Sequence, residues 1–278
     1  MFLRLKHLIR RHMTPGSAWA NTFDRVHRRL WGRVLPWSPN LARVEIELTS
    51  ACNLRCLNCN RATSLAPSQA AMTVPQIERF VGESLDLGWR WRRIGLTGGE
   101  PTLHPELLRM VGVIERYKRE YPSCEVAVVT NGHGRAARDV LSGLPPWIVV
   151  KDSAKTGEPL EFEPFNQAPI DVPEARGMRF SLGCSITEVC GIGLSRHGFY
   201  PCGPSAAIDR VFGMDLGIKS LSAVSAKRSR AQMAALCGLC GHFLNNYGAP
   251  KTSRQHTSAS WQAAVRAYGD HPPSLTPW

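Results

Sequence analysis

The sequence predicts an α/β protein, a partial TIM-like (βα)n barrel of parallel strands with a small cysteine-rich extension toward its C-terminal side. Three observations predict it. From residue 42 onward, short runs with strand-like patterning alternate with amphipathic runs of helical period, and that alternation implies parallel neighbours joined by right-handed crossovers. Every motif able to carry chemistry follows one of the strand-like runs, which is where parallel sheets gather their sites. Only about four to six strands fit before residue 184, too few for a closed eight-strand barrel.

The elements follow in order. Residues 43–49 alternate as a first strand. Thr73-Val74-Pro75 offers a helix start, with Ile77, Phe80, Val81 and Leu85 on one face. Residues 93–97 form a second strand, ended by Gly98-Gly99. Pro105 opens a helix carrying Leu107, Leu108, Val111 and Ile114. Residues 125–130 are a third strand, ended by Asn131-Gly132, and 135–141 a short helix. Residues 147–150 are a fourth strand, followed by Lys151-Asp152-Ser153. The stretch 153–177, rich in Pro, Glu and Gly, reads as loop, and 178–182 as a fifth strand. This divides the chain into a basic N-terminal extension (1–41), the partial barrel (42–183), a cysteine-rich region (184–245) and a polar, peripheral tail (246–278). In the first of these, Phe2, Leu5, Leu8 and Ile9 make one face of a short helix expected to pack on the parent domain.

A chain of 278 residues, 43% of them hydrophobic, can bury a sizeable core. A net charge of +12 suits an anionic partner such as nucleic acid, a lipid surface or a phosphorylated substrate, and equally a well-solvated basic surface. No apolar run approaches the ~18 residues of a membrane span, and the first ten residues lack the unbroken apolar core of a secretory signal. Nine cysteines, an odd number set at short gaps, argue for metal ligands in the cytoplasm over disulfides.

Cys52, Cys56 and Cys59 follow the first strand, separated by three residues and then two. Three thiolates this close can wrap one metal centre. An iron–sulfur cubane held by three thiolates keeps one iron free for a small molecule, whereas structural zinc usually takes four ligands. A second group comprises Cys184, Cys190, Cys202, Cys237 and Cys240. The run 190–202 looks like a small hairpin with turn glycines, and Cys237-Gly-Leu-Cys240 is a CxxC clip. Four thiolates in two halves would close a site completely. Cys124, at a strand start, reads as a small core hydrophobe. Lys151 and Arg179 are candidates to bind an anionic substrate, with plain surface positions the alternative.

The stretch from Ile46 to Cys59, with its three cysteines, together with Gly98-Gly-Glu-Pro-Thr-Leu-His-Pro105 after the second strand, resembles the radical S-adenosylmethionine (SAM) superfamily over roughly residues 43 to 240. The resemblance implies a 4Fe–4S cluster on Cys52, Cys56 and Cys59 whose free iron chelates the methionine part of SAM. An electron from the cluster would break SAM to a 5′-deoxyadenosyl radical, which takes hydrogen from a substrate, a peptide, a sugar or another small molecule. The backbone of Gly98 and Gly99 and the Glu100 carboxylate would hold the SAM ammonium. Asn131, with Asp152 or Ser153, would contact the ribose. The family usually places an aromatic residue before the third cysteine; here it is Asn58, so adenine stacking there is lost.

The second cysteine group resembles the twitch or SPASM extensions that hold an auxiliary 4Fe–4S cluster. The expected ligands are Cys190, Cys202, Cys237 and Cys240, with Cys184 the substitute for Cys190; a zinc knuckle on the same residues is the alternative. The resemblance also implies a reductant such as flavodoxin or ferredoxin. Two other functions compete: a basic zinc-binding module for nucleic acid, and a radical SAM enzyme acting on nucleic acid.

Overall fold

The computed structural model describes residues 37, 39–155, 164–175, 177–245 and 255–278. The N-terminal helix expected around Phe2 to Ile9 lies outside them. The architecture is the α/β partial barrel that the sequence predicts, an open six-stranded sheet in the order β4-β3-β2-β1-β5-β6. Its strands are β1 (Arg43–Thr49), β2 (Arg93–Gly98), β3 (Glu125–Thr130), β4 (Val149–Asp152), β5 (Ile192–Ser195) and β6 (Gly198–Tyr200). All neighbours run parallel except β5 and β6, which form an antiparallel hairpin.

The helices are α1 (Val74–Asp86), α2 (Leu107–Glu120), α3 (Arg135–Ser142), α4 (Ser185–Val189), α5 (Gly203–Phe212), α6 (Ala226–Leu236), α7 (Gly241–Asn245) and α8 (Ala259–Asp270). A capping box starts α1: Gln76 N–H donates to Thr73 Oγ1, and the Gln76 side chain accepts from Thr73 N–H.

Strand side chains alternate between faces. Val44, Ile46 and Leu48 of β1, Ile94 and Leu96 of β2, and Val126 and Val128 of β3 pack under Ile77, Phe80 and Val81 of α1 and Met110, Val111 and Ile114 of α2. Each such burial contributes about 1.5–3 kcal/mol, so this face drives folding. The intervening residues, among them Glu45, Glu47, Thr97 and Val129, fall on the other face, which is left for a site.

Three sequence expectations need correction. The fourth strand begins two residues later than predicted, because its register pairs Val149 with Ala127 and Asp152 with Thr130. Lys151 and Asp152 therefore stand within the strand. Residues 178–182 are not a strand: Phe180–Leu182 is a 3₁₀ turn, and Met178 and Phe180 pack on a separate cluster of Met233, Cys237 and Phe243. The fifth strand is instead β5, which joins the edge of β1 with Val44 opposite Ile192. Gly191, which leads into it with φ +85°, and Gly193 within it both permit close approach. A Cβ on Gly191 would collide with Arg43 O, and one on Gly193 would lie 2.6 Å from Cys202 O.

The C-terminal segment is not peripheral. Trp261 on α8 is fully buried, stacks edge-on against Phe165 and Phe212, and donates Nε1–H to Leu239 O at 2.7 Å. Trp278 packs against Phe199 and lies under the Arg79 guanidinium. The polar composition of this stretch hides these two anchors.

Candidate functional site

The first cysteine loop leaves the end of β1, and the end of β2 is sewn onto it. Gly99 N–H donates to Thr49 O and Glu100 N–H to Ala51 O, both at 2.8 Å. A Cβ on Gly98 would collide with Thr49 O, and one on Gly99 with Ala51 O. Only glycine lets the two backbones meet here.

Glu100 is fully buried, and its carboxylate is committed to protein. Oε1 accepts from Thr102 N at 3.0 Å, Thr102 Oγ1 at 2.7 Å and Thr130 Oγ1 at 2.7 Å. Oε2 accepts from Asn131 N at 2.7 Å. Its side chain thus caps the turn after β2 and clamps the end of β3, and it does not line the cavity that the glycines border.

That cavity, about 250 Å³, is walled at the C-terminal strand ends by Cys52, Cys56, Cys59, Gly98, Gly99, Thr130 and Asn131, with Ser153 and Lys155 at its rim. It extends along the inner sheet face past Glu45, Thr97 and Val129 to a floor of Ile186, Cys190 and Pro204. Asn131 Nδ2 donates to Asn53 Oδ1 at 2.8 Å and lies 3.8 Å from Cys52 Sγ, so the β3 end also holds the cysteine loop. Ser153 Oγ donates to Thr130 O at 2.9 Å. Asp152 is turned away: its Oδ1 accepts from Ala154 N at 2.7 Å beside Gly132. Lys151 is paired with Glu125 at 2.6 Å and Arg179 is exposed; neither lines the cavity.

The half-buried thiols of Cys52, Cys56 and Cys59 share this one wall. Burial raises the Cys52 thiol, which is then raised further by Cys59 and Cys56, against a hydrogen bond from Leu54 N–H. Burial also raises Cys56, opposed by Lys155. Among the described residues no three His, Cys, Asp or Glu side chains are grouped to hold a single metal ion. Three soft sulfur donors on one wall fit an iron–sulfur cluster, in which each thiolate takes its own iron.

Asn58 has φ +50°, a left-handed conformation that Asn tolerates better than an aromatic residue. Its Oδ1 accepts from His256 N at 2.9 Å, and its N–H donates to Gln255 Oε1 at 2.8 Å. The residue that replaces the family aromatic is thus an anchor for the C-terminal segment.

Cys184, Cys202, Cys237 and Cys240 are all buried, and every pair among the four lies within electrostatic range. They sit where the N-terminus of α4, the N-terminus of α5 and the turn after α6 converge. Burial, then the neighbouring thiols, push Cys184 up to about 12. Cys190 is within electrostatic range of Cys184 and Cys202 and also lines the floor of the first cavity. Burial and the facing Glu45 carboxylate push it up to about 12. Cys124 is buried in the sheet core, as its position suggests.

Sequence reasoning missed Glu45, Glu47 and Arg61. Arg61 Nη2 donates to Glu45 Oε2 at 2.7 Å, and Nη1 stands 3.9 Å from Glu47 Oε2. The signal was present: two carboxylates at alternate positions of β1 must share the face opposite Val44 and Ile46.

Residues 46–143 match the family model described as the Radical SAM superfamily. Among curated proteins, the chain is 38% identical over 127 residues to the "GTP 3′,8-cyclase" of Paenarthrobacter nicotinovorans, covering 45% of this chain and 31% of that one. It is 30% identical over 136 residues to human "Molybdenum cofactor biosynthesis protein 1", covering 46% of this chain and 18% of that one. The chain thus spans under a third of the length of these relatives. Among solved structures it is similar to BtrN in complex with AdoMet and 2-DOIA (TM-score 0.46, 15% identity, 79% of this chain and 98% of that one). It is also similar to Streptococcus suis SuiB bound to the precursor peptide SuiA (TM-score 0.31, 18% identity, 50% and 29%). Residues 46–143 are a radical SAM domain, and such a domain works with a 4Fe–4S cluster and SAM. The zinc-binding nucleic-acid module gives way to that reading. No described helix is long and apolar enough to cross a membrane.

Proposed function

We propose that this enzyme cleaves SAM reductively and uses the radical so formed to take a hydrogen atom from a small polar substrate lying deeper in the same cavity. The observation that carries this reading is that Cys52, Cys56, Cys59, Gly98 and Gly99 line one end of a cavity whose other end is polar and walled by Glu45 and Arg61. When bound, the cluster supplies the electron that splits SAM into methionine and a 5′-deoxyadenosyl radical. The chain's own contribution is positional. Cys52, Cys56 and Cys59 would hold three irons, and the Gly98-Gly99 backbone admits the methionine end of SAM without a Cβ in the way. Glu100 acts behind that turn, fixing it to Asn131, and Asn131 and Ser153 are placed for the ribose.

Cys184, Cys202, Cys237 and Cys240 would hold a second, fully ligated cluster beyond the cavity floor. The electrons enter from a reductant of the flavodoxin or ferredoxin type. Anaerobic reconstitution with iron and sulfide, followed by SAM and dithionite, yields 5′-deoxyadenosine, and Cys56→Ala abolishes it. Iron incorporation without SAM cleavage refutes the reading.

A second substrate reading, a purine nucleoside triphosphate, is favoured by the substrate printed in the names of the curated relatives and by the net charge of +12. Against it, Arg61 is already paired with Glu45 and Glu47, which leaves that end of the cavity acidic. Loss of GTP in the same assay, followed by chromatography, separates the two.

A further inference from the structure

One ion pair stands where the two cysteine sets meet. Arg61 lies two residues after Cys59, and its side chain runs from the first cysteine loop to the start of α5. A Cβ on Gly203, the residue after Cys202, would collide with Arg61 Nη1. The same helix fixes the loop that carries Arg61: Arg210 donates Nη2–H to Arg61 O at 3.1 Å and Nη1–H to Ala66 O at 2.8 Å. The Arg61 side chain is only 10% exposed and pairs with Glu45 at 2.7 Å. Glu45 and Arg61 both lie within electrostatic range of Cys202. Cys184, Cys237 and Cys240, by contrast, feel chiefly the charges of other thiols. Cys202 also starts α5, whose positive end favours a thiolate, and Ser205 Oγ lies 3.1 Å from its sulfur. Of the four thiols, Cys202 is therefore the one through which fixed charges reach the set.

We propose that the Glu45–Arg61 pair sets the reduction potential of the cluster on Cys184, Cys202, Cys237 and Cys240, with Arg61 raising it and Glu45 lowering it. This rests on the second-cluster reading above. An added electron makes such a cluster more negative. A fixed cation beside one of its thiolates therefore favours the reduced form, and a fixed carboxylate favours the oxidised form. Arg61 is held away from solvent, where water and salt screen its charge least. Burying a guanidinium is costly unless nearby negative charge compensates it, and here that charge comes from Glu45, Glu47 and the thiolate of Cys202. Glu45 is also the one carboxylate among the described residues of the first cavity wall. The pair thus puts a charge of the substrate end directly beside the second set.

The test uses the full chain carrying Cys52→Ala, Cys56→Ala and Cys59→Ala, reconstituted with iron and sulfide so that the second cluster alone forms. Its reduced fraction is followed by electron paramagnetic resonance through a dithionite titration with redox mediators. Adding Arg61→Met lowers the ratio of reduced to oxidised cluster at a given potential about tenfold, a midpoint about 59 mV lower. Glu45→Gln raises that ratio by a similar factor. Arg61→Lys, which keeps the charge, stays near the parent, and Arg61→Met combined with Glu45→Gln returns toward it. Unmoved midpoints, or shifts of the same sign in Arg61→Met and Glu45→Gln, overturn the assignment while the cluster itself stands. Should Arg61→Met fail to fold, Glu45→Gln decides alone, because Arg61 there still faces Glu47 at 3.9 Å. A parent that takes up no iron refutes the second cluster, and the proposal with it.

Discussion

The Glu100 carboxylate accepts the backbone N–H of Asn131 at 2.7 Å, joining the turn after β2 to the end of β3 behind the cavity wall. Its other oxygen accepts the N–H of Thr102 at 3.0 Å. Each oxygen therefore faces a backbone donor. In Glu100→Gln the amide nitrogen must oppose one of them, whichever way it lies. The expected loss is about 1–3 kcal/mol of stability, read from urea unfolding, with weaker SAM binding by calorimetry because the Gly98-Gly99 turn loses its support. Unchanged stability would show that the clamp does not exist in solution.

The four buried thiols Cys184, Cys202, Cys237 and Cys240 predict a specific iron stoichiometry. Cys184→Ala loses about half of the reconstituted iron, since one of two clusters lacks a ligand, and Cys124→Ala keeps it all. Iron and zinc are counted together by plasma emission. Iron lost in Cys190→Ala and kept in Cys184→Ala would reverse the ligand set, and zinc in place of iron would restore the knuckle alternative.

Asn58→Phe, which restores an aromatic residue before the third cysteine, should destabilise the protein. The left-handed backbone at φ +50° costs a bulky residue roughly 1–2 kcal/mol, and the bonds that Asn58 Oδ1 accepts from His256 N–H and Gln255 Nε2 are lost as well. Thermal unfolding and limited proteolysis near residue 255 read the two effects. A variant as stable and as protease-resistant as the wild type refutes the anchoring role.

Below neutral pH, His197 should weaken the fold. Burial, and then the neighbouring Arg196, bring its imidazole down from an ordinary 6.5 to about 4. The unfolded chain binds this proton more readily than the folded one, so the stability it contributes is full above pH 6.5 and falls as pH drops toward about 4. Urea midpoints for the wild type and His197→Gln should converge over that window. Parallel curves for the two proteins would contradict the assignment.

The parts of this molecule legible in the sequence are those whose cause is local. Residues 43–49, 93–97 and 125–130 show their strands by alternation, and Gly98-Gly99 mark the end of β2, although the neighbours that require glycine there, Thr49 and Ala51, lie where β1 runs into the first cysteine loop. The hairpin expected over 190–202 is β5 and β6; what the sequence did not show is that β5 joins the edge of β1, where Gly191 and Gly193 lie on Arg43 and Cys202. Spacing cannot choose between Cys184 and Cys190, because the short helix between them leaves both thiols within electrostatic range of Cys202. The clamp made by Glu100 was only half visible: Thr102, two residues on, is a local partner, but Thr130 and Asn131 lie some thirty residues on.

The bonds from Gln255 and His256 to Asn58 also impose an order in time. Their partners lie 197 and 198 positions apart. During synthesis β1 to β4 can pair long before residue 255 leaves the ribosome, so the first cysteine loop spends that interval without its last fastenings. Docking of the C-terminal segment then closes it.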